Sequence, residues 1–366
     1  MQAMIDPSRR NKLSLGLFAF NAPGTAFTRH PDQKIRNWDE NVRIAQLADE
    51  LGIEALVSYA RWLPFGGDDN PSGHILDPIT WAAGLGAVTR RTCVISTIHV
   101  SAYSPVAVAK AAATIDRITG GRFGINIVVG WNKAEVELFG QTLKEHDARY
   151  DVADEWLEVM EKLWTSDTRF DYRGRYFDIR GAIGNPKPVL RPVIMNAGGS
   201  DRGREFAAQR SDMAFIAAVD TQPDAIRAQV EAYHKRALET GRALQVWSHA
   251  YVVQRSSVAE AQAFVDDYAG TRGDEAAADE FIAGTLGQFN APQELLAQLR
   301  KPIMAGALGY PLLGNERDIA ASLQHLSELG IDGVLLSWLD YEGGLRQFGS
   351  SVMPLLESAG LRQAAG

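Results

Sequence analysis

The chain has 366 residues, of which 46% are hydrophobic and 22% charged, and its formal net charge is −8. This is an ordinary globular composition with enough apolar residues for a sizeable core. Acidic and basic residues alternate without a basic stripe, and no run of 18 apolar residues occurs, so nucleic-acid partners, association with an anionic membrane and membrane spans are all disfavoured.

Residues 1–11 are polar and charged, lack the apolar segment of a secretory signal, and are expected to be flexible, which makes the cytoplasm the default location. Residues 13–20 read as a strand. Residues 37–51 carry apolar side chains at Val42, Ala45, Leu47, Ala48 and Leu51, a helical stripe stopped by Gly52. A second strand follows at 55–59, a helix at 78–89 and a third strand at 93–100. That third strand holds the single cysteine, Cys93, which excludes a disulfide framework and a cysteine-based zinc site and reads as a core thiol. Ser104 followed by Pro105 starts a helix reaching Ile118. Further strands are expected at 122–129, 193–197, 213–218, 245–253 and 333–338, with helices at 149–164, 201–209, 223–240, 258–268, 318–329 and 349–359.

Strands alternating with helices imply a parallel sheet, because parallel neighbours need crossover connections. The first strand is followed by Asn21-Ala22-Pro23-Gly24 rather than a GxGxxG turn. A doubly wound sheet is therefore less favoured than closure into an α/β (β/α)₈ TIM barrel. The expected organisation is one barrel over residues 12–360, with insertions at about 168–192 and 271–313, the second a candidate lid. Active sites of such barrels lie at the C-terminal ends of the strands. This selects Asn21, residues 59–62, residues 97–99, Gly130, Trp131, residues 198–201, His249, Asp340 and Tyr341.

Within that set, Asn196-Ala197-Gly198-Gly199-Ser200-Asp201 places two glycines between a strand and a helix start. It reads either as an anion site of free backbone N–H groups or as a tight turn with a plain N-cap. Asn126 stands inside an apolar strand and is either a hydrogen-bonded core amide or a polar edge for a ligand. The 7 histidines show no metal-ligand spacing, and Gly199-Ser200-Asp201 lacks the flanks of a serine nucleophile elbow. Aromatics at Phe65, Trp131, Trp247, Trp338 and Tyr341 serve either packing or a flat apolar ligand. A pocket with few acid–base groups suggests that a cofactor carries the hard chemistry.

The segments TIDRITGGRFGINIVVGW, EHDARYDVADEWLEVMEKLW, FDYRGRYFDI, KPVLRPVIMNAGGSDRG and LGIDGVLLSWLDYEGGLRQFGSSVMPLL resemble the bacterial-luciferase-like flavin monooxygenases, in family order over about residues 12–358. Within that family the chain looks most like the branch of pyrimidine oxygenase and dimethylsulfone monooxygenase. The resemblance implies a two-component enzyme that uses FMN as FMNH₂, with O₂ as co-substrate. It also implies a separate NAD(P)H:flavin reductase and a homodimer or homotetramer. By motif, Thr97 and Asn126 would flank the flavin ring and the oxygen site. Tyr59 and Ala60 would lie along the isoalloxazine, and Glu135 would contact the flavin. Arg149, Tyr150, Gly198, Gly199 and Ser200 would hold the phosphate. His249 matches a family histidine and would act as acid, base, hydrogen-bond donor or pocket wall. Trp131, Trp247, His249 and Trp338 would line the substrate pocket. Trp247 stands where sulfonate oxygenases carry Arg, which implies a small uncharged substrate such as an N-heterocycle, another ring compound or a sulfone. An F420-dependent oxidoreductase and a non-catalytic flavin-binding barrel are the alternatives on the same fold.

Overall fold

The computed structural model describes residues 11–217, 219–285 and 293–364. The expectation of a flexible segment at 1–11 falls almost wholly outside them. In chain order the strands are β1 (Ser14–Phe18), β2 (Ala55–Val57), β3 (Cys93–His99), β4 (Phe123–Val128), β5 (Phe170–Arg173), β6 (Asp178–Ala182), β7 (Val193–Asn196), β8 (Met213–Ile216), β9 (Gln245–Gln254), β10 (Tyr310–Gly314) and β11 (Gly333–Ser337). Eight of these run parallel in the order β1-β2-β3-β4-β7-β8-β9-β11, and β11 pairs back onto β1. The sheet is therefore closed, a (β/α)₈ TIM barrel.

The barrel strands are buried almost throughout because both faces are covered. One face of each strand packs under the helices: Leu15, Leu17, Leu56, Val94, Ile125, Ile127, Ile194, Val246, Val334 and Leu336 belong to the large outer core. The alternate residues Ala55, Val57, Cys93, Ile95, Val193, Met195, Met213, Trp247 and Leu335 fill the barrel interior. Period two thus assigns every strand residue to one side.

The helices are α1 (Trp38–Glu50), α2 (Pro78–Val88), α3 (Pro105–Thr119), α4 (Lys133–Leu138), α5 (His146–Thr165), α6 (Asp201–Arg210), α7 (Pro223–Glu239), α8 (Val258–Asp266), α9 (Glu275–Thr285), α10 (Gln293–Gly306), α11 (Glu316–Glu328), α12 (Tyr341–Ser351) and α13 (Met353–Ser358). Reciprocal caps start two of them: Asn37 with Glu40 on α1, and Asn315 with Asp318 on α11. Pro105 opens α3 as expected, although the Ser104 side chain makes no cap bond.

One local expectation needs correction, and two stretches gain detail. The last helical region begins at Tyr341, not 349, because Asp340 caps the N–H of Gly343 and carries the helix through two glycines of poor propensity. The stretch 168–192 contains an antiparallel hairpin, β5 with β6. The stretch 271–313 holds α9 and α10 and runs into β10, which extends the sheet beside the outer half of β9. At the opposite end of the barrel from the strand C-termini, Arg362 donates to both Glu54 carboxylate oxygens at 3.0 and 2.9 Å and to the carbonyls of Leu13 and Gly52. Glu54 Oε2 also accepts from the Leu15 N–H at 2.9 Å. This clamp ties the chain's last described turn to the first two strands.

Candidate active site

A cavity of about 360 Å³ opens at the C-terminal end of the barrel. That size suits a small-molecule site. Its floor follows from strand register. Two residues beyond the interior layer along successive strands come Tyr59 after Val57, Thr97 after Ile95, Asn126 after Gly124, Ala197 after Met195, Phe215 after Met213 and His249 after Trp247, and all line the cavity. Phe18 completes the ring from β1.

Asn126 and Thr97 are tied together. Thr97 Oγ1 donates to the Ser58 carbonyl at 2.5 Å and accepts from Asn126 Nδ2 at 3.1 Å. The other half of the amide, Asn126 Oδ1, is buried with no hydrogen-bond partner among the described residues. An unmet buried acceptor costs about 1–3 kcal/mol, so its position on the cavity wall fits a ligand N–H. Asn21 clamps the neighbouring strand end, donating to the Tyr59 carbonyl at 2.8 Å and accepting from the Tyr59 N–H at 2.8 Å.

One end of the cavity is built by the turn into α6. Ser200 is the N-cap, its hydroxyl accepting from the Gly203 N–H at 3.0 Å. The Gly198 carbonyl accepts from Tyr233 at 2.7 Å, and the Gly198 N–H donates to Asn196 Oδ1 at 3.0 Å. These bonds hold the turn into α6 beside the space lined by Gly198, Gly199, Ser200, Arg149 and Tyr150. A helix start with a nearby guanidinium is an anion cradle. Arg149 Nη1 donates to the Gly130 carbonyl at 2.5 Å, which anchors the loop bearing Trp131. Burial pushes the Tyr150 phenol above its ordinary pKa, against the pull of its hydrogen bond to Ser200 and the nearby Arg149 and Arg202. Tyr150 therefore stays a neutral donor.

His249 Nε2 lies 2.8 Å from Ser337 Oγ, and Ser337 Oγ lies 3.0 Å from Thr25 Oγ1. Burial alone pushes the His249 imidazole down to about 3, so it is neutral near neutral pH. His99, which sequence reasoning named only as a strand-end residue, also lines the cavity. Burial, and then the Arg61 charge, push it down to about 4.

The structure thus brings together Tyr59, Ala60, Thr97, Asn126, Trp131, Arg149, Tyr150, Gly198, Gly199, Ser200 and His249. Three expected residues stand elsewhere. Glu135 is buried behind the wall, with Oε1 accepting from the N–H groups of Trp62 at 2.9 Å and Leu63 at 3.2 Å. Its oxygens hold a loop rather than face a ligand. Trp247 is 0% exposed in the interior layer below His249, its indole N–H donating to Gln245 at 2.9 Å. It fits only because Gly333 has no side chain, since a Cβ there would lie 2.4 Å from the ring. Trp338 packs on Tyr341 and Phe348 and borders a different cavity. The argument for an uncharged substrate from Trp247 therefore loses its basis. Phe18 and Phe215 were missed, though period two from the interior residues would have found them. Gly203 was missed because its role is tertiary. Its Cβ would meet Gly198 backbone atoms at 2.7 and 2.8 Å.

The luciferase-like monooxygenase family profile matches residues 14–333. The chain belongs to that family, and it is an oxidoreductase enzyme. It is 31% identical over 334 residues to a pyrimidine monooxygenase RutA of Allorhizobium ampelinum, covering 88% of this chain and 90% of that one. It is 30% identical over 326 residues to an FMNH(2)-dependent dimethylsulfone monooxygenase of Pseudomonas putida, covering 87% and 88%. The expected branch is the one these relatives represent. Among solved structures, a long-chain alkane monooxygenase, LadA, superposes with a TM-score of 0.83 at 22% identity over 97% of this chain and 93% of that one, a likeness of fold. Among the described residues no cluster of three or more metal-ligating side chains occurs, and no helix is long and apolar enough to cross a membrane.

Proposed function

We propose that this monooxygenase takes FMNH₂ from a separate NAD(P)H:flavin reductase and uses O₂ to oxygenate a small organic molecule in the cavity above the barrel. The observation that carries this reading is the unpaired Asn126 Oδ1 in the same cavity as the α6 helix start. Reduced flavin presents N–H donors along one edge of its ring and a phosphate at the end of its side chain. An acceptor on the wall and a helix start at one end give the cavity the polarity that such a molecule needs.

In this reading the N–H groups at the start of α6, with Ser200, Tyr150 and Arg149, hold the phosphate. Asn126 orients the ring edge, and Thr97 fixes Asn126 through the 3.1 Å bond. The flavin supplies the reducing electrons and the position at which O₂ is activated. Tyr59, Ala60, Phe18 and Phe215 give that position apolar walls that exclude water. Neutral His249, held by Ser337, presents a hydrogen-bonding imidazole to the substrate rather than a charge.

The test pairs the full-length protein with a generic FMN reductase, NADH and ¹⁸O₂, and screens sulfones, pyrimidines, pyridines and sulfonates by mass spectrometry. A labelled product that requires both the protein and FMN is expected. Tight F420 binding without FMN-dependent product would assign the site to hydride transfer instead. FMN binding without any labelled product would leave a non-catalytic flavin barrel.

A further inference from the structure

Beside the main cavity lies a smaller annex, and Phe18, Tyr59 and Ala307 belong to the walls of both. Arg61, two residues past Tyr59 on the loop after β2, lines this annex and is only 6% exposed. Its guanidinium carbon lies 3.6 Å from the Phe65 ring centroid and 4.8 Å from that of Tyr59. Among the described residues its only hydrogen-bond partner is the Tyr59 hydroxyl, and it forms no ion pair.

Two carboxylates lie nearby. Glu135 is felt by Arg61 as a charge, yet one of its oxygens serves the Trp62 and Leu63 N–H groups and the other lies 3.8 Å from His99 Nδ1. Asp274 borders the annex, but it accepts from Asn70 at 2.8 Å and the Ala277 N–H at 3.1 Å and pairs with Arg29 at 3.3 Å. A guanidinium has five N–H donors in a planar fork, and burying one without a carboxylate is expensive. Because Arg61 donates to the Tyr59 oxygen, the Tyr59 O–H proton remains available. Burial keeps that phenol neutral. Two kinds of donor therefore line the annex, and one of them, Tyr59, also lines the cavity proposed to hold flavin and substrate.

We propose that Arg61 and the Tyr59 hydroxyl form a substrate-anion site, so that the molecule oxygenated here carries a carboxylate held in the annex while its apolar body lies in the main cavity. The proposal rests on the main cavity being the substrate site. It replaces the uncharged substrate inferred from Trp247 with a carboxylate-bearing one. The aromatic walls around Arg61 restrict the guanidinium to one plane, which favours a flat two-oxygen partner over a single point charge.

The test is calorimetric titration of the full-length, FMN-saturated protein with benzoate and with its neutral isostere benzamide. The wild-type protein is expected to bind benzoate about tenfold or more tighter than benzamide. Arg61→Gln should raise the benzoate dissociation constant by about the same factor and leave that of benzamide within about twofold. Tyr59→Phe should show a smaller loss in the same direction. If Arg61→Gln does not fold by circular dichroism, Arg61→Lys retains the charge without the planar fork and should lower the preference without abolishing it. Equal affinities for the two probes, no binding of either, or a preference untouched in the Arg61 variants would overturn the proposal. Methanesulfonate as a third probe separates a flat carboxylate site from a general oxyanion site, and tighter sulfonate than carboxylate binding would overturn the carboxylate assignment. FMN affinity is measured in the same samples. In the wild-type protein, no benzoate preference with intact FMN binding refutes the anion site alone, whereas a benzoate preference that the Arg61 variants lose, in a protein that binds no FMN, refutes the flavin reading alone.

Discussion

Replacing Gly203 by Ala should break the cradle at the start of α6 while leaving the rest of the barrel intact. A Cβ at Gly203 would lie 2.7 Å from the Gly198 carbonyl carbon, 2.8 Å from the Gly198 Cα and 2.6 Å from the Tyr150 hydroxyl oxygen. Carbon atoms sit comfortably at about 3.5–4.0 Å, so the helix start and the turn before it must separate by roughly an ångström. Two of the three obstacles are backbone, and a rotamer change cannot relieve them. Overpacking of this kind costs about 1–3 kcal/mol of stability. The same movement displaces the helix start beside the cavity. Loss of one charge-assisted hydrogen bond to a phosphate is worth about 1.5–3 kcal/mol, or about 10- to 150-fold in affinity. Titration of FMN fluorescence against wild type and Gly203→Ala measures this directly, and riboflavin, which lacks the phosphate, provides the internal control. FMN binding should fall by that factor and riboflavin binding should change little. Gly199→Ala serves as the structural control, because a Cβ there meets no protein atom within 4 Å and its Tm should match wild type. An FMN dissociation constant within twofold of wild type in Gly203→Ala would refute the phosphate cradle.

Other perturbations separate function from stability. Asn126→Leu removes a buried acceptor that has no partner among the described residues, at the loss of one hydrogen bond to Thr97, so the stability of the ligand-free protein should change by no more than about 1 kcal/mol while labelled-product formation falls at least about tenfold; a variant much less stable and fully active would contradict the ligand-edge role. His249 and His99 have folded-state values of about 3 and about 4, below the unfolded value of 6.5. The unfolded chain therefore binds more protons than the native one below pH 6.5, and stability is lost as pH falls from there towards 4. At pH 5 the loss is about 2 kcal/mol per histidine, readable as a falling urea midpoint that His249→Gln makes shallower. No inflection near pH 6.5 from His249 is expected in the rate profile. Arg362→Ala removes the guanidinium partner of the half-buried Glu54 and leaves the Leu13 and Gly52 carbonyls without their donor, which should cost about 1–3 kcal/mol, whereas an unchanged denaturation midpoint would show the clamp to be dispensable.

How much of this was legible in the sequence depended on the kind of order involved. The barrel was legible because each strand, covered on both faces, is a short apolar run, and each helix carries a 3.6-residue stripe. Elements held by tertiary context were not. β10 (Tyr310–Gly314) contains Pro311 and forms only because the long outer half of β9 offers it an edge. α12 passes through Gly343 and Gly344, which no propensity argument would place in a helix. The glycine turn at 198–201 was legible as a possible anion site because a strand end, glycines and a helix start are all local. Its closure by Gly203 was not, because that depends on how the Gly198 backbone packs against the first turn of α6.

Trp247 was misplaced because position along a strand was read without depth. Trp247 and His249 point to the same side of β9, and about 6.6 Å separates residues two apart along a strand. That step decides whether a side chain plugs the barrel or faces a ligand. Trp247 packs in the interior with Ile95 and Met195, level with Gly333, which makes room for its ring. His249 falls one layer higher, in the ring of Thr97, Asn126 and Phe215. A charge test placed at Trp247 therefore asks the wrong layer. The group able to answer it is Arg61, which lies off the strands altogether, on the loop after β2, where period two makes no assignment. Its signal is energetic rather than periodic: a buried guanidinium whose only described hydrogen-bond partner is a phenol. If that charge is matched by substrate, specificity in this enzyme sits on a loop beside the barrel mouth, while the strand ends build the cavity floor and leave the choice of substrate open to change.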